Sequence, residues 1–433
     1  MKKIHIILII ISILFIGCSK SYEHNNAAEN TTAVSQSDKI NENIEKRYRD
    51  LETVWDNLRL NYRYNNERYP MDITREELEM CKQELKNKIP YMKSDVEFYC
   101  ELQNLVAKLK DGHTKLTFKD TEIIGETVYR IPIEIGKIDN SWILTGVYKN
   151  YQEYLGYELL AINDMPIEEV YNNFLDYMSY ENKYWADYIF PDDVIITNVL
   201  EYLNIINDCE SDIKLLIKNY YDEEPIEVNF DAIKSKDYVM EKFVYVIPKE
   251  ELRKKYYNSY ELNKDAYLVE LNKCRIHEKY DINEFKDKVI TDIKENKYRK
   301  IIIDLRFNTG GIPNTFEDLI DELKKLQISD RFDVYILIGN TTYSAAVYTA
   351  VYINSNLRCT FYGSPTGGKP DTYGAVTSKD LETPFVLSYT YIYLKFISYD
   401  DMMAFYPDIT VVQTYEDYIN KVDTVLEAVL LRK

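Results

Sequence analysis

A chain of 433 residues is too long for one ordinary core, so two or three domains are expected, and 45% hydrophobic residues with 41 tyrosines lie far from a disordered composition. The formal net charge of -19 excludes nucleic acid as a natural partner, because its phosphates would be repelled, and weighs against acidic substrates. In a chain so rich in tyrosine, no tyrosine marks a site by itself.

At the N-terminus Lys2-Lys3, an apolar run from Ile6 to Ile16 and then Gly17-Cys18 form a signal-peptide pattern too short to span a membrane. The stretch resembles a bacterial lipoprotein signal, with Phe15 where leucine is commoner. The resemblance implies cleavage after residue 17, lipidation of Cys18 and an extracytoplasmic, membrane-anchored protein. Residues 18–38 are polar and nearly free of large aliphatics, which reads as a flexible tether. The other cysteines, Cys81, Cys100, Cys209, Cys274 and Cys359, are odd in number and form no C-x-x-C pair, so neither a zinc site nor a dense disulfide framework is expected.

A helical segment is expected over 39–118. Ile40, Ile44, Tyr48, Leu51, Val54, Trp55 and Leu58 share one helix face. Further helices run from Glu76 to Ile89 and from Val96, the latter behind the capping box Ser94-Asp95-Val96-Glu97 and stopped at Asp111-Gly112. His113 therefore sits just past a helix end.

Over 119–178 the pattern turns to strands. Ile131, Ile133 and Ile135 alternate, Trp142 to Val147 follows, and Gly156 to Asp164 leads into a short helix at Ile167. This stretch resembles part of a PDZ domain, departing from the family pattern at Tyr157 and Asp164; the resemblance implies a small β-rich module that docks a peptide as an added strand. Residues 179–248 read as a mixed linker region to which no chemistry attaches. Over 249–433, strands Ala266–Leu271, Lys300–Arg306 and Val334–Ile338 alternate with helices Ile282–Ile293 and Phe316–Leu326. That alternation implies crossover connections and a largely parallel sheet, with sites at the strand C-terminal ends. A long strand-like stretch, Phe385 to Ile397, and a helix from Glu416 to Leu431 close the chain. The fold class is mixed α/β.

Glycine is scarce, 13 in all, yet seven (Gly310, Gly311, Gly339, Gly363, Gly367, Gly368 and Gly374) crowd one stretch. Such a chain places glycine where backbone must bend or approach a ligand. Ser344 follows a strand and opens a helix, so a nucleophile there meets the positive helix end, with the Ala345 N–H free for an oxyanion; equally, serine is a common N-cap. Gly310-Gly311 also follows a strand and reads either as a second oxyanion donor or as a simple turn.

Asp304-Leu305-Arg306-Phe307-Asn308-Thr309-Gly310-Gly311, Tyr343-Ser344-Ala345-Ala346 and Pro365-Thr366-Gly367-Gly368-Lys369 resemble, in this order, the motifs of the tail-specific (C-terminal processing) proteases, a family of serine peptidases. The likeness covers roughly residues 266–433. It implies Ser344 as nucleophile, with Gly310 or Gly311 and Ala345 as oxyanion donors; Val347 departs where many members carry glutamate. Branches of the family differ in the base, which implies either Lys369 or, as in tricorn-core-like members, an upstream histidine. His113, in Asp111-Gly112-His113-Thr114, is the candidate, and read alone it is equally a satisfied surface histidine. An imidazole of pKa about 6.5 takes a proton at neutral pH, whereas lowering a lysine from about 10.4 towards 7 costs roughly 4 to 5 kcal/mol, so His113 is preferred. In the histidine-using branch a carboxylate precedes a Pro-Asp pair; ahead of Pro407-Asp408 this selects Asp401, which read alone is an acidic loop tip. No metal or cofactor is called for, since H-E-x-x-H, P-loop and dinucleotide motifs are all absent from the sequence. The expectation is a lipid-anchored serine endopeptidase acting on peptides or proteins. Its rival is a binding lipoprotein of the same fold with a degenerate site.

Overall fold

Strands rich in β-branched and aromatic residues build the sheet that carries the candidate site. In the computed structural model its six strands lie in the order Tyr257–Asn263, Ala266–Leu271, Lys300–Asp304, Asp333–Ile338, Cys359–Gly363, Ile409–Thr410, the first pair antiparallel and the rest parallel. The structure describes residues 36–60, 73–221, 224–247, 255–329, 332–395 and 402–432, with residues 36–39 described by backbone alone.

Alternation along the strands sends residues to opposite faces. Ile301, Ile303, Val334, Ile336 and Ile338 pack with Phe285, Val289, Leu319, Leu323, Ala346 and Ala350 of helices Ile282–Asn296, Glu317–Ser329 and Ala345–Asn356. Ile302, Tyr335 and Leu337 pack on the other side with Val425 and Val429 of helix Thr424–Leu430. Burial on both faces is what an uninterrupted apolar strand requires. The expected parallel α/β sheet is therefore present, and its strand C-terminal ends deliver the loops after Asp304 and Ile338.

A second, seven-stranded antiparallel sheet contains Ile133–Ile138, Ser141–Tyr148 and Glu158–Ile162, but also Ile213–Lys218, Ile226–Phe230 and Phe243–Tyr245. Its first hairpin turns at Asp139-Asn140, both at positive φ (50° and 65°), the backbone a two-residue type I′ turn demands. The boundary expected at residue 178 thus cuts through one sheet, and part of the supposed linker region belongs to it. A three-stranded sheet joins Lys115–Phe118, just after His113, to Phe385–Tyr389 and Thr377–Asp380.

Two expected elements are broken. The stretch after Phe385 forms strands Phe385–Tyr389 and Ile392–Leu394 in different sheets, and the terminal helix is split into Tyr415–Ile419 and Thr424–Leu430, the second capped by Asp423. The chain divides at Glu42. Ahead of that point the described residues are the first turns of helix Gln36–Leu58, and the described residues from Asn43 onward form one compact body. The signal, Cys18 and most of the tether lie outside the described residues.

Candidate active site

Ser344 sits at the turn between strand Asp333–Ile338 and helix Ala345–Asn356. Its φ of 54° and ψ of -124° place a non-glycine residue in a strained region that costs about 1 to 3 kcal/mol. Its side chain makes no capping bond, so the N-cap explanation of this serine does not hold at the level of geometry. Neighbouring bonds hold the turn. Thr342 exchanges bonds with Gly339 (2.8 and 3.0 Å) and donates to the Leu305 carbonyl at 2.9 Å, while Tyr343 N–H donates to the Asn308 carbonyl at 3.0 Å.

The glycine loop lies directly against this turn. Gly310 has φ 98°, and a Cβ there would stand 2.8 Å from Ser344 Cβ and 2.9 Å from the Ala345 nitrogen. Fully buried Asn308 shapes the loop, its Nδ2 donating to the Leu271 carbonyl at 2.8 Å and its Oδ1 accepting from Gly310 N–H at 2.9 Å. That bond consumes one of the expected oxyanion donors. Gly311, at φ 136°, and Ala345 keep N–H groups with no partner among the described residues. Gly310 thus makes the close approach to the serine turn, and of the expected donors Gly311 and Ala345 are the two whose N–H groups are left unengaged among the described residues.

His113 is brought to the same place from an element more than two hundred residues away. Asp111 builds its turn: Oδ1 accepts from His113 N–H at 3.0 Å, and Oδ2 accepts from Thr114 Oγ1 at 2.5 Å and Thr390 Oγ1 at 2.6 Å. The ring, 8% exposed, has Nδ1 at 3.0 Å from Tyr343 Oη, 3.3 Å from Glu181 Oε1 and 3.7 Å from Asp111 Oδ1. Tyr343 Oη donates to Glu181 Oε1 at 2.8 Å, so its own oxygen accepts from Nδ1–H. That assignment leaves the lone pair on Nε2, which is buried and has no hydrogen-bond partner. Tyr343 immediately precedes Ser344, and its ring stacks on Trp185 with centroids 3.7 Å apart.

Electrostatics follow from these contacts. Burial alone would lower the His113 pKa, but hydrogen bonds and charge from Asp111 and Glu181 outweigh it and raise it to about 9. Burial would raise Asp111, yet its bonds to His113, Thr114 and Thr390 bring it down to about 2. Asp111, His113 and Glu181 offer ligand atoms within 4.8 Å of one another, a spacing a metal ion fits. The atoms are already committed, however: Asp111 serves three donors, and Tyr343 Oη stands on both Glu181 and His113.

Lys369, half-buried, follows Gly367-Gly368. Gly368 N–H donates to the Thr342 carbonyl at 3.2 Å, and a Cβ on Gly368 would lie 2.9 Å from the Ser344 nitrogen. Asp401 lies outside the described residues. Sequence reasoning missed Glu181, Tyr343, Trp185 and Asn308. A local signal existed only beside Glu181, where Asn182 caps helix Lys183–Val194 by accepting from Trp185 N–H at 3.0 Å.

No family model and no curated relative matches the sequence. Solved structures do match. CPAF complexed with lactacystin superposes with a TM-score of 0.63 at 12% identity, covering 87% of this chain and 96% of that one. Mature CPAF gives 0.58 at 12% identity over 87% and 94%. The photosystem II D1 C-terminal processing protease matches at 0.40 and 10% identity, over 89% and 96%. The chain has the mixed α/β fold of CPAF, in agreement with the fold implied by the motif resemblance.

Proposed function

We propose that this chain is a serine peptidase of the tail-specific protease family, anchored outside the cytoplasm through lipidated Cys18. The observation that carries the reading is His113, whose Nε2 stays unpartnered while its Nδ1 is held by Glu181 and by Tyr343, the residue that immediately precedes the uncapped Ser344. Ser344 Oγ attacks the peptide carbonyl carbon as its proton passes to His113 Nε2. The oxyanion takes hydrogen bonds from Gly311 and Ala345 N–H. Collapse breaks the C–N bond, and the departing amine takes the proton from His113. Water then attacks the acyl-serine, giving its proton to His113; collapse breaks the C–Oγ bond as His113 returns that proton to Ser344 Oγ, releasing the acid product and free Ser344. Lys369, on the turn packed against Ser344, is the alternative base, and Asp401 remains the carboxylate suggested by the family pattern. The antiparallel sheet around 133–245 would dock the substrate.

A fluorophosphonate probe tests the nucleophile: adduct at Ser344 in the folded protein, absent after Ser344→Ala, is expected. A folded wild-type protein that leaves Ser344 unlabelled would point instead to a peptide-binding lipoprotein. Glu181→Gln tests how the histidine is held. Removing that negative charge lowers the His113 pKa, so the ascending limb of the kcat/KM profile should move from about 9 towards the ordinary imidazole range. An unmoved limb would show that Glu181 does not govern His113.

A further inference from the structure

Gly311 has a second backbone group beside the N–H assigned to the oxyanion. The chain at Cys274 runs parallel to it and bonds on either side of it: Cys274 N–H donates to the Gly310 carbonyl at 3.1 Å, and Ile312 N–H donates to the Cys274 carbonyl at 2.6 Å. In such a ladder the residue between the two bonds turns its own N–H and C=O to the opposite side. Both Gly311 groups therefore point away from Cys274, and neither has a partner among the described residues. The residue is exposed.

The geometry demands glycine. A Cβ at Gly311 would lie 2.3 Å from the Cys274 carbonyl oxygen, and the φ of 136° is one that side chains disfavour. Without that atom Cys274 closes on one side and leaves a bare strand edge on the other. The backing is rigid: Cys274 is fully buried, and its Sγ lies 3.4 Å from Nδ2 of the equally buried Asn308. Asn308 also holds Gly310 N–H, and Gly310 stands against the Ser344 turn, so the bare edge begins one residue from the contact with the nucleophile's turn.

A bare edge is a template for an extended peptide. Any chain that gives its carbonyl to the Gly311 N–H comes within reach of the C=O on the same side, because facing residues of an antiparallel hydrogen-bonded pair exchange both bonds. We propose that Gly311 pairs in this way with P1, the substrate residue that supplies the scissile carbonyl: its N–H binds the P1 carbonyl oxygen, and its C=O accepts the P1 N–H. The site accordingly takes its substrate as an extended strand antiparallel to residues 310–312. It refuses proline and N-alkylated residues at P1, which lack the donor. The pairing rests on the peptidase reading, since attack by Ser344 is what defines P1.

Fluorescent peptide boronates bound to the full chain provide the test, because boron replaces the scissile carbonyl carbon and fixes P1 without a known cleavage site. The parent compound is compared by anisotropy with three others: one N-methylated at P1, one N-methylated at P2, and one with an ester oxygen in place of the P1 N–H, which removes the donor without adding bulk. The P1-methyl and ester compounds should each bind about tenfold more weakly than the parent, the scale of a lost hydrogen bond that strands an acceptor. The P2 N–H faces away from Gly311 in an extended chain, so its methylation should change binding by no more than about twofold. An ester that binds like the parent overturns the pairing, even beside a weak P1-methyl compound, because that pattern reports a clash. Equal losses at P1 and P2 overturn it too. Ser344 labelled by fluorophosphonate without P1 discrimination among the boronates would sink the pairing alone. A folded wild type that reacts with neither probe would sink the peptidase reading, and the pairing with it.

Discussion

His113→Ala should lower kcat by about 10⁴- to 10⁶-fold, the loss seen when the base of a serine triad is removed. Lys369→Ala, measured alongside, should retain most of the activity. The reverse result, an inactive lysine variant beside an active alanine at 113, would move the base to Lys369. Wild-type kcat/KM should climb with pH to a limb near 9, because only the neutral imidazole accepts the serine proton and Asp111 and Glu181 hold the charged form. The same shift fixes the sign for stability. The folded pKa lies above the unfolded value of about 6.5, so the stabilisation is complete below that pH and is lost as pH rises through about 9. Asp111 gives the opposite case. Its contribution is present above its unfolded value of about 3.9 and is lost as pH falls through about 2. Activity and the clamp on His113 are thus opposed: the base works once the ion-pair contribution has gone, leaving the hydrogen bonds of Tyr343 and Asp111 to keep the ring in place.

What could be read from the sequence was local. Ser344 and Ala345 at a helix start, and Gly310-Gly311 after a strand, lie in contiguous motifs whose backbone geometry glycine and small residues dictate. His113 could be picked out because the chain has only 4 histidines and this one follows a helix stop. Glu181 could not, because its role exists only when a bond spans 162 residues to Tyr343, itself one of 41 tyrosines. The choice between Gly310 and Gly311 stayed open for a related reason: the sequence shows a glycine pair but not that Asn308 Oδ1 turns back onto the Gly310 N–H. The parallel sheet was visible in runs such as Lys300–Asp304, buried on both faces. The antiparallel sheet was not, since strand Ile226–Phe230 exposes most of its residues and carries little apolar signal. The stretch after Phe385 was taken as one strand because its composition is continuous, yet at Thr390 the chain leaves the ladder, with Oγ1 on Asp111 and N–H donating to Thr114 Oγ1 at 3.3 Å. That break ties the histidine turn to the hairpin, so the local sequence reading failed at a point where tertiary bonds serve the site.

Gly310→Ala should cost about 10²- to 10³-fold in kcat, the scale of losing an oxyanion donor, although Gly310 itself donates to no oxyanion. The added methyl would meet Ser344 Cβ and the Tyr343 carbonyl at 2.8 Å and the Ala345 nitrogen at 2.9 Å, contacts that real Cβ atoms do not make. The backbone is at φ 98°, so alanine is strained there even before the collision. Relief requires the loop to withdraw from the serine turn. Asn308 resists that movement, because its buried side chain ties Gly310 to Leu271 and its carbonyl holds Tyr343. Withdrawal would therefore pull Gly311 N–H away from Ala345 N–H and separate the two donors while Ser344 and His113 remain. The signature is a kcat defect on a protein whose Ser344 still reacts with a small fluorophosphonate, at a reduced rate, and whose pH limb stays near 9. Full activity in this variant would mean that the loop does not build the oxyanion site.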